Sequence, residues 1–238
     1  MVAAAPVDVR ARAVAAATRL FAKQGFEATS VQAVADEVGV TKQAVLHHFP
    51  SKEHLRQAVL EAILAHWNEA VPRLLLAATA GEDRFDAIFG ELCRFFSGAP
   101  DRALVVLREA LDRPHEMKKL LRGPVKPWLS AIAGYIEAGK KSGAHYADVD
   151  AEAYVVHVLQ MVIAASAAAS VTSSVLEQDG APRYDRELAR IARASLFTEA
   201  DARSRSREKP DARPRIEKEK PERVDRASSK GGARRSAR

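Results

Sequence analysis

Among its 238 residues the chain holds a single cysteine, Cys93. One thiol builds no disulfide framework within the chain, and its isolation fits a reducing cytoplasm, where the protein is expected to work. The opening MVAAAPVDVRAR lacks an apolar core behind a basic start, because Asp8, Arg10 and Arg12 interrupt it, so no signal peptide is expected. Alternating β-branched runs are scarce and no internal repeat is visible, which argues against a sheet. The end of the chain, residues 201–238, has only Ile216 and Val224 as large aliphatics, with three prolines and no periodicity. Such a segment buries too little surface to offset its ordering entropy, and 199–238 is expected to be a disordered charged tail.

Charge of one sign is also missing from most of the chain. The net +6 comes from the tail, where 14 Lys/Arg face 7 Asp/Glu, whereas residues 1–200 carry 23 against 24. The tail therefore reads either as a solubilising extension or as an arm adding sequence-independent affinity for nucleic acid. The remainder, at 47% apolar and 29% charged over the whole chain, is ordinary for a soluble protein long enough to bury a core.

Arrangements that would carry catalysis or a metal are incomplete. His47, His48 and His54 are close in sequence, but adjacent helical residues diverge by about 100° and cannot chelate one ion together. His115-Glu116 begins like a zinc-protease motif, yet Lys119 stands where the second histidine is needed. GYIEAGKK, 134–141, imitates a phosphate loop until Lys141 replaces the hydroxyl residue, and no strand precedes it. No nucleophile, base and orienting group stand together. No catalytic residue, metal or cofactor is expected.

What is present is helical periodicity from residue 8 onward. A first helix over 8–24 carries Val14, Ala17 and Phe21 on one stripe and ends at Gly25. Thr29 and Gln32 have the spacing of a capping box opening a short second helix, with Val31, Val34, Ala35 and Val38 inward. A long helix follows from Ser51 to about residue 80, bent at Pro72, then helices over 82–97, 101–111, 114–121, 125–141, 150–176 and 183–197. Asp101 and Asp150 are placed as N-caps, with Gly123-Pro124 as a stop. The fold class is all-α: an N-terminal three-helix helix-turn-helix domain over 1–55, then a helical bundle over 56–198, about nine helices in all.

The helix-turn-helix reading rests on three positions. Ala35 is small where two helices cross, Gly39 supplies the backbone angle of a tight turn, and Val45 locks the second helix onto the first. Thr41 caps that second helix. On a helical wheel Val45 and Phe49 then point inward and Gln43 and His47 outward, with Lys42 and Leu46 on one flank and Ala44 and His48 on the other. A face of Gln and His flanked by Lys suits a DNA major groove: Gln43 reads an adenine edge, and Lys42 or His47 a guanine or a phosphate. Lys52 lies in the first turn of the next helix, where the dipole disfavours a cation unless a docked phosphate reverses the penalty.

The run from Val14 to Leu55, with RLFAKQGFEATSV, VQAVADEVGV and HHFPSKEHL in order, resembles the DNA-binding region of tetracycline-repressor (TetR/AcrR) type regulators. The resemblance implies a DNA-contacting set of Thr29, Thr41, Lys42, Gln43, Ala44, Leu46, His47, His48 and Lys52. Family members usually carry a phosphate-contacting tyrosine in the place of Leu46; here that role passes to His48, Thr41 and Lys52. For residues 56–198 it implies an effector pocket and a dimer interface built from the last two long helices.

Candidates for that pocket are Trp67, Phe85, Phe89, Phe96, Trp128, Tyr135 and Met161, aromatics and a thioether that serve equally as plain core. Arg108 and Glu109 interrupt the apolar run ALVVLREAL, as a pocket's polar pair or on a solvated face. Residues 154–176 contain no Asp, Glu, Lys or Arg. Their small residues favour a buried helix, between subunits or within the chain, over a membrane span.

The expected protein is thus a homodimeric regulator, a repressor more than an activator, binding a near-palindromic double-stranded DNA operator and an unidentified small-molecule effector. The competing reading is a helical small-molecule-binding or enzymatic protein with an N-terminal interaction module. Deleting residues 201–238 tests the basic arm. An arm lowers the slope of log K against log salt by about 0.9 for each phosphate contact removed, and a solubilising tail leaves the slope unchanged.

Overall fold

The computed structural model describes residues 8–79, 84–176 and 180–198; the charged tail lies outside the described residues. Eleven α-helices follow one another. The first four are α1 (Val9–Ala28), α2 (Val31–Val38), α3 (Lys42–His48) and α4 (Lys52–Thr79). Next come α5 (Arg84–Ser97), α6 (Pro100–Asp112), α7 (Pro114–Leu120) and α8 (Lys126–Ser142). The last three are α9 (Ala151–Ala167), α10 (Ala169–Val175) and α11 (Gly180–Ala194). Among the described residues the β pairing is confined to an isolated bridge between His145 and Phe197. The fold is the expected all-α one, and among the described residues the helix expected over 150–176 is divided into α9 and α10.

Two apolar cores organise these helices. The head core joins Ala13, Ala17 and Phe21 of α1, Val34, Ala35 and Val38 of α2, and Val45 of α3. It is completed by Leu55, Ala58 and Val59 of α4 and by Val105 of α6. The body core gathers Trp67 of α4, the phenylalanines of α5, Trp128 and Ile136 of α8, and Val155, Val158 and Val162 of α9. Helix α4 crosses position 55 as one element, its first turns in the head core and Trp67 and Ala70 in the body core.

Several local expectations are corrected. Ser30, not Thr29, caps α2, accepting from the Ala33 amide at 3.0 Å, and Gln32 bonds Asp36 instead of closing a capping box. Asp101 lies inside α6, which opens at Pro100 without a side-chain cap. Asp150 does cap α9, accepting from Ala153 N at 3.0 Å. Gly123-Pro124 does not stop the chain: a π-helical turn, Leu121–Val125, accommodates the proline and runs on into α8. The helix expected over 150–176 breaks at Ala168 into α9 and α10, bent by 77°. Hydroxyls compete for carbonyls there, as Thr172 does for Ala168 O at 3.1 Å. Among the described residues no single helix is long and apolar enough to cross a membrane.

One close approach ties the end of the body to α8. The buried His145 donates from Nδ1 to Ile136 O at 3.0 Å and packs edge-on against Tyr135 and Phe197. A β-carbon at Gly139 would fall inside the His145 ring. Gly139→Ala is therefore expected to lower stability by about 1–3 kcal/mol, seen as a reduced urea midpoint; an unchanged midpoint would refute this packing.

Candidate nucleic-acid interface and body cavity

The geometry of the head begins with the α2–α3 corner. Ala35 is fully buried, so the two helices cross without a side chain between them. Gly39 adopts φ 75°, ψ 38°, the left-handed conformation, and its amide returns to Ala35 and Asp36 carbonyls. Thr41 caps α3, its hydroxyl accepting from Ala44 N at 3.2 Å. Arg12 of α1 donates to Val38 O and thereby holds the end of α2.

On α3 the packing splits the helix into two faces. Val45 and Phe49 are buried, Ala44 and Leu46 are half-buried, and Lys42, Gln43, His47 and His48 are exposed. Among the described residues the side chains of Lys42, Gln43 and His47 make no hydrogen bond or ion pair, and the two histidine rings lie edge to face at 5.4 Å. The free polar groups of α3 are thus turned away from the protein.

Two residues expected to touch DNA are engaged internally. Thr29 is buried, and its hydroxyl donates to Gly25 O at 2.7 Å, so it offers nothing to a phosphate. Lys52 donates to the carbonyls of Phe26 and Glu27, at 3.0 and 3.2 Å, with its ammonium 4.2 Å from the centre of the Phe26 ring. Those carbonyls offset the dipole penalty without any docked anion.

Phe26 is in turn the centre of a charged junction between head and body. Arg113 sits 4.2 Å and Arg56 5.9 Å from its ring centre. Glu109, 6% exposed, accepts from Arg56 at 2.5 Å and pairs with Arg113 at 3.6 Å. Burial opposes the Arg56 charge, but Glu53 and Glu109 outweigh it and hold the guanidinium above its ordinary value. Arg108 donates to Ala22 O at 3.1 Å. Arg108 and Glu109 therefore belong neither to a pocket nor to a solvated face; they fasten α6 to α1 and α4. The sequence signal was the spacing of Glu109 four residues after Val105, a core position that demands a buried cation partner.

The body encloses a narrow apolar cavity of about 50 Å³ between α5, α8, α9 and Leu196. Phe85, Phe89, Trp128 and Tyr135 line it, joined by Ile132 and Tyr154, which sequence reasoning did not single out. Trp67 stands behind Trp128, with ring centres 4.6 Å apart, and Phe96 lies beyond Trp67. Met161 packs on the core without lining the cavity. Tyr154 donates to Ala192 O at 2.6 Å, and burial pushes its phenol pKa up, so it stays protonated. Burial likewise pushes the Cys93 thiol up to about 11, with Asp185 adding to the shift. Among the described residues no group of acidic, histidine or cysteine side chains is arranged to hold a metal.

A helix-turn-helix head with a free polar face, joined to a helical body with an internal cavity, defines a DNA-binding regulator. Residues 13–59 match the family described as bacterial regulatory proteins, tetR family. The chain is 28% identical over 158 residues to the HTH-type transcriptional repressor KstR2 of Rhodococcus jostii, spanning 57% of this chain and 67% of that protein. It is 40% identical over 131 residues to the HTH-type transcriptional regulator RutR of Escherichia coli, spanning 52% and 60% of the two proteins. The solved structure of the ketosteroid transcriptional regulator KstR2 of Mycobacterium tuberculosis shares the fold. Its TM-score is 0.62 at 16% identity, with 83% of this chain and 100% of that one covered. Residues 13–59 are thus a DNA-binding head of the TetR family, and the likeness of the body to the solved structure is one of fold.

Removing one partner of the junction leaves a buried charge. Glu109→Ala is expected to cost about 3–5 kcal/mol, measured by urea unfolding; a loss below about 1 kcal/mol, the range of exposed ion pairs, would contradict the burial of this pair.

Proposed function

We propose that the protein is a homodimeric, ligand-released repressor whose α3 helices enter successive major grooves of a near-palindromic operator. The observation that carries this reading is the outward face of α3, where Lys42, Gln43 and His47 are exposed and have no partner among the described residues. In the proposed site Gln43 reads a base edge, and Lys42, His47 and His48 take bases or phosphates, with Thr41, Ala44 and Leu46 at the contact surface. Lys52 acts as a brace that orients the head, in place of the direct phosphate contact its sequence position suggests. The head as a functional unit reaches to about Val59, because its core includes the first turns of α4.

The proposed dimer uses the outer faces of α9 and α11. Ala153, Val156, Gln160 and Ala164 on α9 are exposed and carry no charge, which suits close helix approach. Ile191 of α11, 44% exposed, adds an apolar contact beside them.

The proposed effector site is the body cavity. Helix α6 packs against α1 on one side and α9 on the other, so spreading α9 to admit a ligand loads the Glu109 junction and tilts the head. Coupling of about 1–3 kcal/mol is the usual scale of such a device.

Selection of random-sequence DNA by the purified protein tests the regulator against the competing small-molecule-binding or enzymatic reading. An enriched two-half-site sequence is expected, and Gln43→Ala is expected to relax one base position per half-site, worth about 1–3 kcal/mol. Selection with no enriched sequence would overturn the proposal.

A further inference from the structure

The cavity has a chemical character beyond being apolar. Trp128 lines it and is 6% exposed, yet its indole N–H is buried with no acceptor among the described residues. Buried donors are almost always paired, and an orphaned one is a standing penalty that an incoming acceptor removes. The other polar side chains on the wall are Tyr135 and Tyr154, and the Tyr154 hydroxyl is committed to Ala192 O. Among the described residues no charged side chain lines the cavity. A carboxylate or ammonium entering it meets no charged group on the wall, the Arg84 guanidinium lying behind Tyr135 at 5.9 Å from that ring's centre, whereas a carbonyl oxygen loses little and gains the indole.

We infer that the cavity takes a slender, uncharged, mostly hydrocarbon molecule carrying one carbonyl-type acceptor, and that Trp128 is the residue that reads this oxygen. This rests on the effector-site reading above and gives it a ligand class. The size of the cavity sets the shape. At about 50 Å³ it lies well below the several hundred Å³ of ordinary ligand pockets, so a single alkyl chain enters with the least displacement of α5, α8 and α9.

Trp67 and Trp128 are the only two tryptophans in the chain and touch edge to face beside the cavity, so their emission reports its occupancy. The full-length protein is titrated with 2-heptanone, heptane, heptanoate and heptylammonium while tryptophan emission is followed. The ketone is expected to bind at least threefold more tightly than the alkane, the effect of one buried hydrogen bond, and at least tenfold more tightly than either ion. In Trp128→Phe, read through Trp67, the ketone's advantage over heptane is expected to fall within twofold while heptane affinity holds.

Equal binding of ketone and alkane by the unmodified protein, tighter binding of an ion, or binding of none of the four overturns the inference. So does an advantage that persists in Trp128→Phe; should that variant fail to fold, the unmodified protein's ranking alone decides. Adding the ketone to the DNA complex separates the two readings. Ranked binding without release of DNA removes ligand control and leaves the ligand class standing.

Discussion

The crossing of α2 and α3 at Ala35 is the constraint on which the rest of the head depends. A fully buried alanine lets the helix axes approach, and the left-handed Gly39 turns the chain tightly enough for α3 to lie across α2. With Val45 and Phe49 driven into the core, helical geometry leaves no choice about Gln43 and His47, which project outward. A larger side chain at 35 would lift α3 away, and any rotation of α3 would exchange its exposed polar face for its packing face.

The second constraint is electrostatic and lies where head meets body. Helix α4 belongs to both cores, and α6 adds Val105 to the head while Glu109 clasps Arg56 of α4. Phe26, next to the non-helical Gly25 (φ 84°) inside α1, provides the ring on which Lys52, Arg56 and Arg113 gather. A buried ion pair contributes little net stability but makes alternative arrangements expensive, and so favours a few discrete head positions over a continuum. The proposed ligand-released repressor would require that property.

The legible parts of the sequence were those governed by local rules. Periodicity located the helices, and the Ala35, Gly39 and Val45 spacing located the corner, because crossing and turn geometry depend on a few neighbouring residues. The misplacements came from tertiary competition. Thr29 has the spacing of a cap, but burial gave its hydroxyl to Gly25 O and left the capping to Ser30. Lys52 opens α4 as its position in the sequence implies, but its partners are the carbonyls of Phe26 and Glu27, some 25 residues away in sequence and beyond the reach of local rules. Of the aromatics, Phe85, Phe89, Trp128 and Tyr135 line the cavity, whereas Trp67 and Phe96 form the layer behind it. Which wall of a bundle an aromatic lines depends on helix packing that periodicity does not encode.

In the proposed complex the outward face of α3 lies in the major groove. Methylation interference on a selected operator tests it most directly, because one reagent marks guanine N7 in the major groove and adenine N3 in the minor groove. Interference is expected at guanine N7 positions in two half-sites on one face of the duplex, about one helical turn or a multiple apart. Interference confined to adenine N3, or none in either half-site, would contradict it.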